Sequence, residues 1–158
     1  MADVVEITVL DIEGGHEDLI FCVPGLTARL SFDTYYFALA IEPYEDRTDV
    51  KRFIGECLEN WITEVRAMDA GDVRYLPIDI SDQYVGCLCL RYTGSSFEMN
   101  YGFSRIHGHS LDMNNLHQYF KNVSDFRSDI PTPLIVERIA FINSLSQQAA
   151  QLKVCRNT

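Results

Sequence analysis

"VKRFIGECLENWITEV", residues 50–65, repeats its apolar side chains at the spacing of an α-helix. Val50, Phe53, Ile54, Cys57, Leu58, Trp61, Ile62 and Val65 share one face, and Lys51, Arg52, Glu56, Glu59 and Glu64 share the other. Asp46 or Thr48 can cap the start, and Gly71 in "MDAGD" supplies a stop. The spacing predicts one helix over residues 48–67, packed on a sheet through Phe53, Cys57, Trp61 and Val65. Gly55 falls on its exposed side.

On either side of this helix the period changes from helical to two. "VVEITVLDI" (4–12) reads as a half-buried strand and "DLIFCV" (18–23) as a second, with turn residues between them. Residues 27–42 read as one long or bent strand whose second part, "TYYFALAIE", is apolar on both sides, as in the middle of a sheet. Beyond the helix, residues 73–80, 83–92 and 96–107 form a meander, with Gly94 in a tight hairpin. "YVGCLCLRY" is apolar on both faces and hence central, while Pro77 pushes the first strand of the meander to an edge. A short helix starting at Ser110 or Asp112 buries Met113, Leu116, Tyr119, Phe120 and Val123. Thr132 followed by Pro133 then opens a last helix that buries Ile135, Ile139, Ile142 and Leu145 and frays through "SQQAAQ". The tail, 150–158, reads as loose. Residues 1–158 therefore form a single α+β domain: a mostly antiparallel sheet of about six strands, one long amphipathic helix and two C-terminal helices.

At 158 residues, 47% hydrophobic and 23% charged, the chain is long and apolar enough to bury a core, which excludes disorder of the whole. It has no run of 18 apolar residues, and its start, "MADVVEITVLDIEGG", lacks the basic and then apolar pattern of a signal peptide. A soluble cytoplasmic protein is expected. The five cysteines are an odd number without CxxC spacing. Cys22, Cys57, Cys87 and Cys89 sit in apolar runs, as reduced core thiols do. Charge is the unusual feature. Residues 1–79 carry 17 acids and 6 bases, net −11, whereas residues 80–158 carry 6 acids and 7 bases, net +1. Nucleic acid and anionic lipid are poor partners for such a surface, and a basic protein is a good one.

"RIHGHSLDMNNLHQYF" (105–120) holds three of the four histidines. If a strand ends here, His107 and His109 share a face and His117 follows in a helix, so a small metal-dependent hydrolase is one reading. Against it, the HxHxDH pattern fails, since position 111 is Leu and 112 is Asp, and HExxH is absent. A strand end, a cap and a half-exposed histidine account for the residues, and no metal or other cofactor is expected. The chain also lacks a GxSxG elbow and a phosphate-binding glycine loop. Acid pairs such as Asp79 with Asp82 read as loop solvation, because general acid–base work needs a shared desolvated pocket.

The order of elements over residues 45–148 resembles immunity proteins of bacterial contact-dependent inhibition and polymorphic-toxin systems. The likeness extends to "IHGHSLDMNNLHQYF" and the closing "IPTPLIVERIAFINSL". The resemblance implies a non-enzymatic protein that binds one cognate toxin domain, often a basic nuclease, and blocks it. It carries over no contact residue. From the sequence itself, the candidates are the acidic run Glu42, Glu45, Asp46 and Asp49, then Glu13, Glu17 and Asp18 in the first hairpin. A phage-type inhibitor that mimics nucleic acid with its carboxylates is a further reading.

Overall fold

The computed structural model describes residues 3–12, 16–106 and 108–154, with the main chain alone at 109. The fold is α+β, with two antiparallel sheets and eight strands among the described residues, more than the six expected. β1 (Glu6–Val9), β2 (Leu19–Cys22) and β3 (Leu30–Phe32) form the first sheet in that order. β4 (Val73–Ile80), β5 (Val85–Tyr92) and β6 (Ser96–Ser104) form the second, and both β7 (Arg127–Ser128) and β8 (Leu134–Glu137) pair with β6. β5, apolar on both faces, is central, and β4, which carries Pro77, lies on an edge.

The long helix is α2 (Arg47–Arg66), and it buries the face that the spacing assigns to it, with Phe53 half-buried. Asp46 is the N-cap and accepts from Thr48 N at 2.8 Å, while Asp49 reaches back to accept from Asp46 N at 3.2 Å. Gly55 corrects the expectation: it is buried, because α3 (Arg138–Lys153) crosses there. A Cβ at 55 would lie 2.9 Å from Lys153 Cγ and 3.2 Å from Ala149 O. The helical penalty of glycine is accepted for a close helix–helix approach.

Residues 27–42 are not one strand. β3 ends at Phe32 and a short helix, α1 (Tyr35–Leu39), follows. Thr34 causes the break. Its N–H and hydroxyl both donate to the buried Asp18 carboxylate, at 3.0 and 2.6 Å, which turns the chain out of the sheet.

The C-terminal part differs in a similar way. Residues 134–137 extend the sheet, with Phe97 opposite Val136 and Met99 opposite Leu134, so the last helix begins only at Arg138. Ile135 and Ile139, expected in the core, are 62% and 64% exposed, whereas Ile142 and Leu145 are buried. The helix continues to Lys153 and buries Ala149 and Leu152, past the point where fraying was expected. Only a 3-10 segment, Leu116–Lys121, stands where the penultimate helix was expected, yet Met113, Leu116, Tyr119, Phe120 and Val123 are all buried.

Both faces of the second sheet are covered. On one, Tyr101 meets the rings of Phe21 and Phe32 from the first sheet, and Phe97 meets Phe141 of α3. On the other, the Tyr119 hydroxyl bonds Ser104 at 2.6 Å, and Phe126 packs on Tyr75. The open edge of β1 is closed by α3: Ser144 Oγ accepts from the N–H groups of Val4 and Val5, and Gln148 Oε1 accepts from that of Ile7. Cys22, Cys57, Cys87 and Cys89 are free thiols. Burial pushes Cys57 and Cys87 up to about 12 and Cys89 to about 11, so these three stay neutral packing groups. Among the described residues, no helix is long and apolar enough to cross a membrane.

Candidate functional site

The acidic candidates divide into those that hold the fold and those that face solvent. Asp18 is fully buried and pairs with Arg47, whose guanidinium also donates to Leu10 O at 3.2 Å. Asp46 and Asp49 close the start of α2. The Asp49 carboxyl is held below its usual range by the main-chain N–H groups of Glu45 and Asp46 and, less strongly, by Arg52. Glu17, Glu42 and Glu45 present exposed side chains. Glu17 adopts φ 51°, in the left-handed region, with its N–H donating to Asp33 Oδ1 at 2.7 Å. Glu13 lies outside the described residues.

Of the histidine cluster, His107 and the side chain of His109 lie outside the described residues, and His117 is exposed on the 3-10 segment. Among the described residues, no three His, Cys, Asp or Glu side chains converge on a metal position. Gly108 has a packing role, since a Cβ there would lie 2.7 Å from Ser81 O and 3.1 Å from Tyr36 Cε2. Gly108, which opens a short 3-10 turn (Gly108–Ser110), thus lets the chain lie directly on the β4–β5 turn.

The two sheets meet beside Tyr84, which forms a wall of two adjoining clefts. One, of about 590 Å³, is bounded by His16, Asp33, Tyr35, Tyr36 and Asp82. The Tyr36 hydroxyl donates to the Asp82 carboxylate, and the Tyr35 ring stands edge-on to that of Tyr36. The other, of about 560 Å³, runs between Leu30 and Phe32 of the first sheet and Asp79, Tyr101 and Phe103 of the second. The loop carrying Asp129, Ile130 and Pro131 closes its side. The close approach of that loop depends on Gly102, where a Cβ would strike Arg127 O at 1.9 Å. Across both linings there are four aspartates and not one lysine or arginine.

Asp79 is the chemically unusual member. Read from sequence as a solvated loop acid, it is instead buried in β4, just after a shift in pairing register between Pro77 and Asp79. It stands opposite Gly86, and Gly86 stands opposite Phe103. A Cβ at 86 would lie 2.6 Å from Tyr101 Oη and 2.9 Å from Asp79 Cβ, so the glycine makes room for the tyrosine to reach across β5. Tyr101 is 3% exposed, and its hydroxyl has no hydrogen-bond partner among the described residues. Desolvation raises the Asp79 carboxyl to about 6; the Tyr84 hydroxyl bond lowers it in part, and the Asp33 charge raises it again.

This shift makes a prediction about stability. The native carboxyl titrates near 6 and the unfolded one near 3.8, so the ionised group opposes folding above pH 6, and that cost disappears as pH falls from 6 towards 4. Asp79→Asn should stabilise the domain at pH 7.5 by about 1–2 kcal/mol, below the full value of the shift because the cleft is open to solvent. The gain should vanish by pH 4. Thermal melts of both proteins across that range would check it, and a variant less stable than wild type at pH 7.5 would overturn the assignment.

Sequence reasoning missed Asp79, Tyr84 and Tyr101 as a group. The only local trace was glycine inside the central strand at position 86, where a close approach is a regular cause. Comparison with protein-family models, with curated proteins and with solved structures returns no match.

Proposed function

We propose that this chain is a non-enzymatic binding protein that captures a basic protein partner, acting as an immunity protein does on a cognate toxin, of which a basic nuclease is one kind. One observation carries the reading. The bases of the acidic half are largely tied up internally, exposed carboxylates remain in excess on its surface, and aspartates from both halves of the chain line the clefts. Arg47, Lys51, Arg52 and Arg74 pair with Asp18, Asp11, Asp49 and Glu64. Glu17, Glu42 and Glu45 stay exposed, and the cleft linings add four aspartates with no lysine or arginine among them, Asp33 alone meeting His16 at 3.2 Å. A field of one sign over a concave surface speeds encounter with a partner of the other sign and discriminates against acidic competitors.

The test uses the residues that the fold can spare. Glu17→Lys, Glu42→Lys and Glu45→Lys together should slow association with the captured partner by about tenfold or more at low salt. The wild-type on-rate should itself fall as ionic strength rises, because exposed charges are screened within about 8 Å at physiological salt. Asp18, Asp46 and Asp49 are left intact, since replacing them would confound binding with folding. If affinity capture returns no basic protein, or one whose on-rate ignores both salt and the three reversals, the proposal fails.

A further inference from the structure

We propose that the cleft floored by Asp79, Tyr84 and Tyr101 seats one arginine side chain of the basic partner; the inference rests on the partner reading above and specifies where its anchor enters. The cleft has the chemistry of such a seat. Its walls are apolar along Phe32, Phe103 and Ile130, matching the methylene stem of arginine. Its floor offers a planar cation two acceptors, the Asp79 carboxylate and the Tyr101 hydroxyl oxygen, and the exposed Asp129 adds a second carboxylate to the lining. Arginine carries five N–H donors in a fixed fork and no acceptor, so it can use a carboxylate and a phenol together.

The unpaired Tyr101 hydroxyl is the independent observation. A buried hydroxyl without a partner costs free energy, and such groups are rare in native proteins. Here it lies in the wall of a cavity, held over Gly86 and beside a carboxylate in a solvent-poor position. A guanidinium would give the Tyr101 oxygen a donor and neutralise the carboxylate in one event. An anionic ligand would meet Asp79, Asp129 and, past Tyr84, Asp33 and Asp82. An uncharged apolar ligand would leave both polar groups as they are. The groups facing Asp79 are Tyr84 from the β4–β5 turn, Tyr101 from β6, Asp33 from the segment after β3 and Asp129 in the lining of the same cleft. None is a cation that could compete.

The probe is n-butylguanidinium, with N-butylurea as its uncharged counterpart, titrated into the labelled full chain and followed by amide NMR shifts. At pH 7.5 the cation should give saturable shifts centred on Gly86 and residues 101–103, and the urea should not. Asp79→Asn should weaken the cation by at least about tenfold, the usual loss when a hydrogen-bonded charge is removed. Lowering the pH from 7.5 to 5 should weaken it by about tenfold, because the carboxyl is then mostly protonated. Tyr101→Phe should weaken it by a smaller factor while keeping the fold. Absence of saturation, equal shifts from the urea, or undiminished binding in Asp79→Asn would each overturn the proposal. The two readings fail separately. The triple lysine variant leaves the cleft lining untouched and should bind the probe as wild type does. Loss of partner capture with probe binding intact removes the partner, and loss of probe binding with capture intact removes the seat.

Discussion

Asp18→Ala is expected to cost the domain about 3–5 kcal/mol, the range for breaking a buried ion pair by removing one partner. The side chain is 0% exposed, and its carboxylate joins its own hairpin to the starts of α1 and α2. Its oxygens accept from Thr34 N–H and Thr34 Oγ1 at the start of α1, and from Arg47 in the first turn of α2. Its own main-chain carbonyl accepts from Leu10 N at 2.8 Å, at the end of β1. With alanine there, Thr34 loses both acceptors, and the Arg47 guanidinium keeps only its bonds to Leu10 O and Thr34 Oγ1. Asp18→Asn should be milder, because an amide oxygen can still serve Thr34 while the ion pair is lost. Urea unfolding followed by the single tryptophan would measure both. A cost below about 1 kcal/mol for the alanine variant would show that the node behaves as an exposed pair. As one of the sequence candidates for partner contact, Asp18 would then return to the surface inventory.

What could be read in the sequence, and what could not, follows the range of the interactions that decide each element. Helix α2 is legible because one face is buried along its whole length, so its pattern is written into consecutive residues. Strand β5 is legible for the opposite reason, since both faces are covered and the run from Val85 to Leu90 is apolar. Residues 27–42 mislead because the break at Thr34 is imposed by Asp18, which is distant in sequence, and local alternation carries no trace of it. The end of α3 misleads because its polar residues look solvated. Ser144 and Gln148 are buried, Ser144 serving the N–H groups of Val4 and Val5 just before β1 and Gln148 that of Ile7 within it. The acidic candidates show the same limit. Carboxylates that cap a helix, as Asp46 and Asp49 do, look in sequence like carboxylates that greet a partner, and capping geometry separates them only when the adjacent N–H groups are in view. Asp79 passes for a turn acid beside Asp82 because its burial depends on a register shift and on a second sheet packed across it.

Trp61→Ala is expected to destabilise the domain by about 3–5 kcal/mol, as other large-to-small changes in cores do. For a chain of this size that corresponds to a fall in melting temperature of about 10 °C or more. The side chain is 1% exposed on the buried face of α2, among the largest fully buried side chains of the core. Its indole N–H has no hydrogen-bond partner among the described residues, so truncation forfeits packing and apolar burial and breaks no polar contact. The cost is therefore a transfer and cavity cost, and it should depend on volume. Trp61→Phe keeps most of the ring and should lose markedly less than the alanine variant. A polar role for the indole would instead make phenylalanine nearly as damaging as alanine. Circular dichroism is the right probe for both variants, since each removes the only tryptophan. An alanine variant that melts with the wild type would place Trp61 outside the core and undo the assignment of the α2 face on which the rest of the fold is built.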